Sequence, residues 1–70
     1  MKKSETAWVV VYMSQRRDEA QRAMDALAAE GFLVRMYPEG AESASGAFEI
    51  KCLQSEAREA RDLLVEKGFA

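Results

Sequence analysis

The 70-residue chain contains no histidine, one cysteine and one proline. Without histidine, a Ser-His-Asp type of catalytic triad and the commonest metal ligand are excluded. One cysteine cannot form a disulfide within the chain, and Cys52 stands at an inward-facing position of a strand pattern, where a free cysteine usually acts as a small hydrophobic residue. We therefore expect no catalytic residue, no cofactor and no bound metal.

An excess of one charge and a long apolar run are missing as well. The 10 Lys and Arg against 12 Asp and Glu give a net charge of −2, so no positive field attracts nucleic acid or an anionic membrane surface. The apolar run at 7–13 is too short to cross a bilayer, and no signal-peptide cleavage pattern follows it. We expect a cytoplasmic protein that binds neither nucleic acid nor membrane.

A repeat is present instead. Residues 19–32 read EAQRAMDALAAEGF, and residues 56–69 read EAREARDLLVEKGF. In both copies the apolar residues recur at helical spacing, and Gly-Phe closes the pattern, because glycine readily takes the left-handed conformation that ends many helices. At the start of the first helix, Asp18 and Arg22 are spaced for an ion pair along the helix. An apolar, strand-like run precedes each copy, so the chain is a doubled strand–helix unit.

Three segments have the composition of β-strands. They are residues 7–13, 32–37 and 47–53. A right-handed crossover makes the first two strands parallel, and the third fits antiparallel between them, giving sheet order 1-3-2 with both helices on one face. We predict an α+β fold of the split β-α-β, ferredoxin-like kind (βαββα), with one domain over 7–70 after a flexible lead-in at 1–6.

One face of this sheet would carry no helix, and the first strand would be an open edge without proline, lysine or bulge to guard it. Apolar and aromatic side chains are expected on the open face. These candidate interface residues are Trp8, Val10, Tyr12, Leu33 and Tyr37. Such an edge or patch usually marks an association surface, so we predict a homodimer formed by edge pairing or by stacking of open faces.

Two other segments are candidate binding sites. Ser14, Arg16 and Arg17 stand at the start of the first helix, where free backbone N–H groups attract anions, and could hold a phosphate or carboxylate. The alternative is that these arginines are only solvated. The polar connection after Pro38 could be a mobile contact loop, as binding loops often are. Its candidate residues are Glu39, Gly40, Glu42, Ser43, Ser45 and Gly46.

The layout from Trp8 to Val65 resembles a family of short signal-transducing proteins of prokaryotes. The likeness is carried by Trp8-Val9-Val10-Val11-Tyr12, by Glu30-Gly31-Phe32-Leu33-Val34, by the glycine-containing connection, by Phe48-Glu49-Ile50 and by the acidic, alanine-rich second helix. The resemblance implies a βαββα fold akin to PII-like and ferredoxin-like sheets, in a bacterial regulatory protein. Some similar sequences are called glutamate decarboxylase. A pyridoxal enzyme needs a cofactor-bearing lysine in a much larger fold, so we do not expect that activity from Lys51.

The leading functional prediction is a small regulatory or protein-interaction module, a homodimer that binds a partner protein or a small anionic metabolite. One alternative is an enzyme or enzyme subunit with its site at the dimer interface, with turnover dependent on Arg16, Arg17 or Cys52. A second is a purely structural association domain. A third is an RNA-binding sheet like that of RRM domains, although residues 48–51 lack the RNP1 pattern and the acidic balance opposes RNA.

Overall fold

The computed structural model describes residues 7–38 and 46–69. The elements, in chain order, are β1 (Trp8–Ser14), α1 (Arg17–Ala29), β2 (Val34–Tyr37), β3 (Phe48–Leu53) and α2 (Ala57–Glu66), with a 3-10 turn at Gln54–Glu56 before α2. β3 lies between β1 and β2 and pairs antiparallel with both. The predicted α+β class, the order of elements and the strand order 1-3-2 are confirmed.

The hydrophobic core lies between the sheet and the two helices. The strands contribute Met36, Phe48, Ile50 and Cys52, and the helices contribute Ala20, Ala23, Leu27, Ala57, Ala60 and Leu64. The three buried residues of α2 follow the three of α1 at the same spacing, so the sequence repeat is also a repeat of packing. No polar or charged residue is buried in the described part of the chain. Because both helices share this one core, both cover the same face of the sheet.

Both helices end in the same way. The Phe32 N–H donates to the Leu27 carbonyl at 3.1 Å, and the Phe69 N–H donates to the Leu64 carbonyl at 2.8 Å. The intervening glycines have positive φ angles, 96° at Gly31 and 89° at Gly68. This is the Schellman arrangement, in which a left-handed residue lets the chain fold back onto the last helical turn. The predicted Gly-Phe stops are confirmed in both copies.

The segment starts differ from the prediction. Neither helix has a side-chain N-cap hydrogen bond, although the sequence predicts Ser14 or Asp18 as the cap of α1 and Ser55 as the cap of α2. Ser14 is instead the last residue of β1, and Ser55 lies in the 3-10 turn. β2 begins at Val34, two residues later than predicted, because Phe32 belongs to the end of α1.

β1 contains a β-bulge, which the sequence pattern did not predict. Val10 pairs with Lys51 and Tyr12 pairs with Ile50, which leaves Val11 as an extra residue between them. An extra residue reverses the alternation of side chains beyond it. Tyr12 therefore lies on the helix-covered side, where it packs against the core. Its predicted place on the open face is wrong, and so is the expectation of an edge strand without a bulge.

Within the described residues, no helix has the length and apolar character needed to span a membrane.

Candidate functional site

The side of the sheet without helices is the principal candidate surface. Its positions follow from the register, in which Trp8 pairs with Leu53, Met13 with Glu49, and Arg35 with Lys51, all away from the core. We call this surface the uncovered face. It consists of Trp8, Val10, Met13, Leu33, Arg35, Tyr37, Glu49, Lys51 and Leu53. Leu33 directly precedes β2 and is placed on this face by its alternation with Arg35 and Tyr37 and by its exposure.

Positively charged side chains lie over the aromatic rings of the uncovered face. The Arg35 guanidinium lies over the Trp8 ring, with its carbon 4.5 Å from the ring centroid, and so reaches across the middle strand. The Lys51 ammonium lies 5.0 Å from the Tyr37 ring centroid and 4.0 Å from a Glu49 carboxylate oxygen. Cation–π contacts contribute about 0.5–1 kcal/mol each at exposed sites. They hold rings and charges in place without burying them.

Exposed apolar surface is concentrated on the same side. In the described part of the chain the large hydrophobic residues that are exposed are Met13 (56%), Leu33 (59%), Tyr37 (61%) and Val65 (59%). The first three belong to the uncovered face, and only Val65 lies elsewhere, on α2. Single exposed apolar residues are ordinary, whereas a group of them on one surface is typical of an association site.

The predicted interface residues are therefore largely brought together. Trp8, Val10, Leu33 and Tyr37 lie on the uncovered face, whereas Tyr12 packs edge-to-face against Phe69 with ring centroids 5.8 Å apart. Met13 is not among the predicted interface residues, because the bulge that turns it outward lies in a uniformly apolar run. Strand alternation in the sequence already predicts Arg35 and Lys51 on this face, beside the candidate interface residues.

The edge of β1 is partly protected. Next to the bulge, the Arg61 guanidinium of α2 donates a hydrogen bond to the Val10 carbonyl at 3.2 Å. Bulges and covering side chains both hinder the addition of another strand. The structure thus gives less support to a dimer formed by pairing of β1 than to one formed by the uncovered face.

The predicted anion-binding residues make contacts of their own. The Ser14 hydroxyl donates to a Glu19 carboxylate oxygen at 2.9 Å and accepts from the Arg16 N–H at 3.1 Å. The Arg16 Nε lies 3.5 Å from Asp18 and 3.9 Å from Glu19. The hydrogen bond that the Arg16 Nε–H donates to the Asp18 carboxylate lowers the pKa of Asp18 and raises the pKa of Arg16. The chain's own carboxylates thus occupy the groups that an anion would need.

Arg17 is directed elsewhere. It lines a shallow cleft of about 290 Å³ that also includes Gln21, Arg35 and Met36. The structure therefore does not bring Ser14, Arg16 and Arg17 together in one place. An anion site made of all three stays a prediction with no geometry in its favour.

Cys52 is part of the core, as predicted. Its side chain is fully buried, and the thiol donates a weak hydrogen bond to the Leu53 carbonyl at 3.4 Å. Burial, followed by the nearby Glu56 carboxylate, raises the pKa of the Cys52 thiol, while Arg61 acts in the opposite direction. A buried, protonated thiol is a poor nucleophile.

The other predicted segments are mostly outside the described residues. The lead-in at 1–6 lies there, as do the loop residues Glu39, Gly40, Glu42, Ser43 and Ser45. Gly46, the last of the predicted contact loop, is exposed and has a φ of 82°. Across residues 7–38 and 46–69, no group of three or more His, Cys, Asp or Glu side chains could hold a metal ion.

Comparison with known proteins identifies no relative. None of the protein-family models, curated proteins or solved structures that were compared with the chain matches it. The resemblance to short signal-transducing proteins stays a prediction.

Proposed function

We propose that this chain is a small interaction module, of the regulatory kind that the resemblance implies, which acts as a homodimer joined through its uncovered face. The single observation behind the proposal is the concentration of exposed apolar side chains on that face, where Met13, Leu33 and Tyr37 are each more than half exposed. We also propose that its fold belongs to the ferredoxin-like, PII-like group. The placement of β3 between β1 and β2 supports that name.

The charges of the uncovered face favour a second copy as the partner. Two-fold symmetry brings the same surface of each copy together, so the surface must complement itself. Arg35 and Lys51 are positive and Glu49 is negative, and Glu49 lies 4.0 Å from Lys51 within one chain. Across a two-fold axis, Glu49 of each copy can pair with a cation of the other. The apolar side chains around these charges would supply most of the association energy.

The bulge in β1 supports stacking of faces over pairing of edges. It moves Met13 to the uncovered face and so enlarges the apolar surface there. It also interrupts the regular ladder that a second β1 strand would need. Both effects come from one extra residue, Val11, which the register leaves between Val10 and Tyr12.

Sedimentation equilibrium of two matched variants tests this proposal. Leu33 and Val65 are both 59% exposed, but only Leu33 lies on the uncovered face. A glutamate within a desolvated interface should weaken association by roughly thirtyfold or more. We expect a dimer for the wild type and for Val65→Glu, and a largely monomeric Leu33→Glu.

Two results would contradict the proposal. One is a wild-type protein that stays monomeric at about 100 μM, a concentration at which an interface of ordinary size is occupied. The other is a Leu33→Glu variant that dimerises as tightly as Val65→Glu, since the interface would then lie elsewhere. Circular dichroism of both variants shows that each is folded.

A further inference from the structure

A cleft of about 430 Å³ lies on the helix-covered side of the molecule, where the start of α1 meets the end of α2. Its lining residues are Tyr12, Glu19, Arg22, Lys67, Gly68 and Phe69. The bulge of β1 and the end of α2 create it. The bulge turns Tyr12 toward the helices, and the Gly-Phe stop of α2 folds Phe69 back beside Tyr12.

Two cations line this cleft without a partner. Arg22 is spaced for an ion pair with Asp18, but Asp18 bonds to Arg16 instead. Over residues 7–38 and 46–69, the side chains of Arg22 and Lys67 form no ion pair and no hydrogen bond. Two unpaired cations at one concave surface form a site for an anion, because a bound anion gains charge-assisted hydrogen bonds from both.

The one acid of the cleft is already engaged. One carboxylate oxygen of Glu19 accepts the Ser14 hydroxyl hydrogen at 2.9 Å, and the other lies 3.9 Å from the Arg16 Nε. These contacts direct the negative charge of Glu19 toward Ser14 and Arg16. With one acid against two cations, the lining keeps an excess positive charge.

The apolar part of the cleft is aromatic. The rings of Tyr12 and Phe69 stand at 81° to each other, with centroids 5.8 Å apart, and both residues are half-buried against the core. Tyrosine and phenylalanine rings favour planar apolar groups by stacking and edge contacts. Gly68 adds no side chain, and nothing lies within 4 Å of where its Cβ would be, so the space beside it is open.

We propose that this cleft binds a small organic anion, a carboxylate or phosphate monoester carried on a planar apolar body. The anion is held by Arg22 and Lys67, and the body lies against Tyr12 and Phe69. The site is separate from the uncovered face, so it does not depend on self-association. It also differs from the predicted trio of Ser14, Arg16 and Arg17.

Titration followed by NMR of backbone amides tests the inference, with phenyl phosphate and benzoate as probes. Inorganic phosphate supplies the charge without the ring, and benzyl alcohol supplies the ring without the charge. We expect saturable shifts at Arg22, Lys67, Gly68 and Phe69 with at least one of the two anionic probes. Affinity for that probe should be about tenfold or more above that for either part, because ring and charge contribute together.

Arg22→Gln and Lys67→Gln should each weaken binding of that probe about tenfold, because each substitution removes one charge-assisted hydrogen bond. The matched control is Arg58→Gln, which removes the same charge from an exposed site outside the cleft and should leave binding unchanged. Three results would overturn the inference. They are no saturable shifts with either anionic probe at about 10 mM, shifts centred on residues 14–17, or equal affinity in all three variants.

Discussion

The two faces of one three-stranded sheet are stabilised by different interactions. β3 shows the contrast in a single strand, where Phe48, Ile50 and Cys52 are buried and the residues between them are half-exposed. The covered face holds no buried polar residue in the described part of the chain. On the uncovered face, cation–π contacts and an ion pair link the side chains. Changes on the covered face should therefore affect folding, and changes on the uncovered face should affect association.

The largest expected effect is on the rate of chemical labelling of Cys52, which lies on the covered face. Its thiol can react only when the fold opens, because it is fully buried and its pKa is raised by burial. With an ordinary stability of at least about 5 kcal/mol, iodoacetamide should label native protein more slowly than protein in urea, by roughly four thousandfold or more. A native labelling rate within about tenfold of the unfolded rate would show that this face is open to solvent.

The raised pKa also predicts a dependence of stability on pH. The thiol keeps its proton to higher pH in the folded chain than in the unfolded chain. The contribution of the thiol to the free energy of unfolding is therefore fully present below the pKa of an ordinary thiol. It is lost as pH rises through the folded-state pKa. Urea unfolding between about pH 7 and pH 10 should show this decline, and Cys52→Ala should lack that part of it. An identical decline in Cys52→Ala would assign it to other groups.

Neighbouring residues of β3 give the next largest contrast. Ile50→Ala removes a fully buried side chain and should lower the free energy of unfolding by about 3 kcal/mol. Lys51→Ala, on the uncovered face, should cost less than about 1 kcal/mol. Urea denaturation at low protein concentration, where association does not contribute, measures both. Equal losses of unfolding free energy would mean that the covered face does not stabilise the fold more than the uncovered face does.

A smaller effect is expected for Arg35, which lies over the Trp8 ring. Arg35→Gln should lower the free energy of unfolding by about 0.5 kcal/mol. The double variant with Trp8→Leu should show that the two changes are not additive, since either one removes the contact. If the two losses simply add, the contact contributes nothing, and another interaction orders the uncovered face.

The smallest effect belongs to Asp18, which lies outside both faces. The hydrogen bond from Arg16 lowers the pKa of Asp18, so its contribution is present above the ordinary carboxyl pKa and is lost as pH falls through the folded-state value. The urea midpoint of the wild type should be lower at about pH 3 than at about pH 6. Asp18→Asn should make this difference only slightly smaller, and the effect of the substitution should be weaker still in high salt. A large reduction of this difference would show that the exposed pair of Arg16 and Asp18 contributes substantially to the free energy of unfolding.

The repeat made much of the fold predictable. Apolar spacing in the two copies marked the helices and most of their buried residues, and the Gly-Phe pairs marked their ends at Gly31 and Gly68. The strand order followed from the direction of the crossover and from the connections. These features depend on local patterns and general topology, which a single sequence contains.

The bulge could not be predicted, because residues 7–13 are apolar throughout and no polar residue distinguishes one face from the other. Because of one extra residue, Tyr12 and Met13 each lie on the side of the sheet opposite to the predicted one, and the composition of the strand gives no sign of it. The cleft was missed for another reason. Arg22 and Lys67 stand on different helices, and only the packed fold brings them to one surface. The helix starts differed because Ser14 bonds to Glu19 and Arg16 in place of capping α1.

The central claim is that a second copy covers the uncovered face in solution, and Trp8 reports on it directly. It is the only tryptophan of the chain and lies on that face. Its fluorescence emission can be followed on dilution from about 100 μM to 100 nM, a range that spans ordinary dimer affinities. We predict a shift to longer wavelength on dilution, which ends at the spectrum of Leu33→Glu. A wild-type spectrum that matches Leu33→Glu at every concentration would contradict the claim.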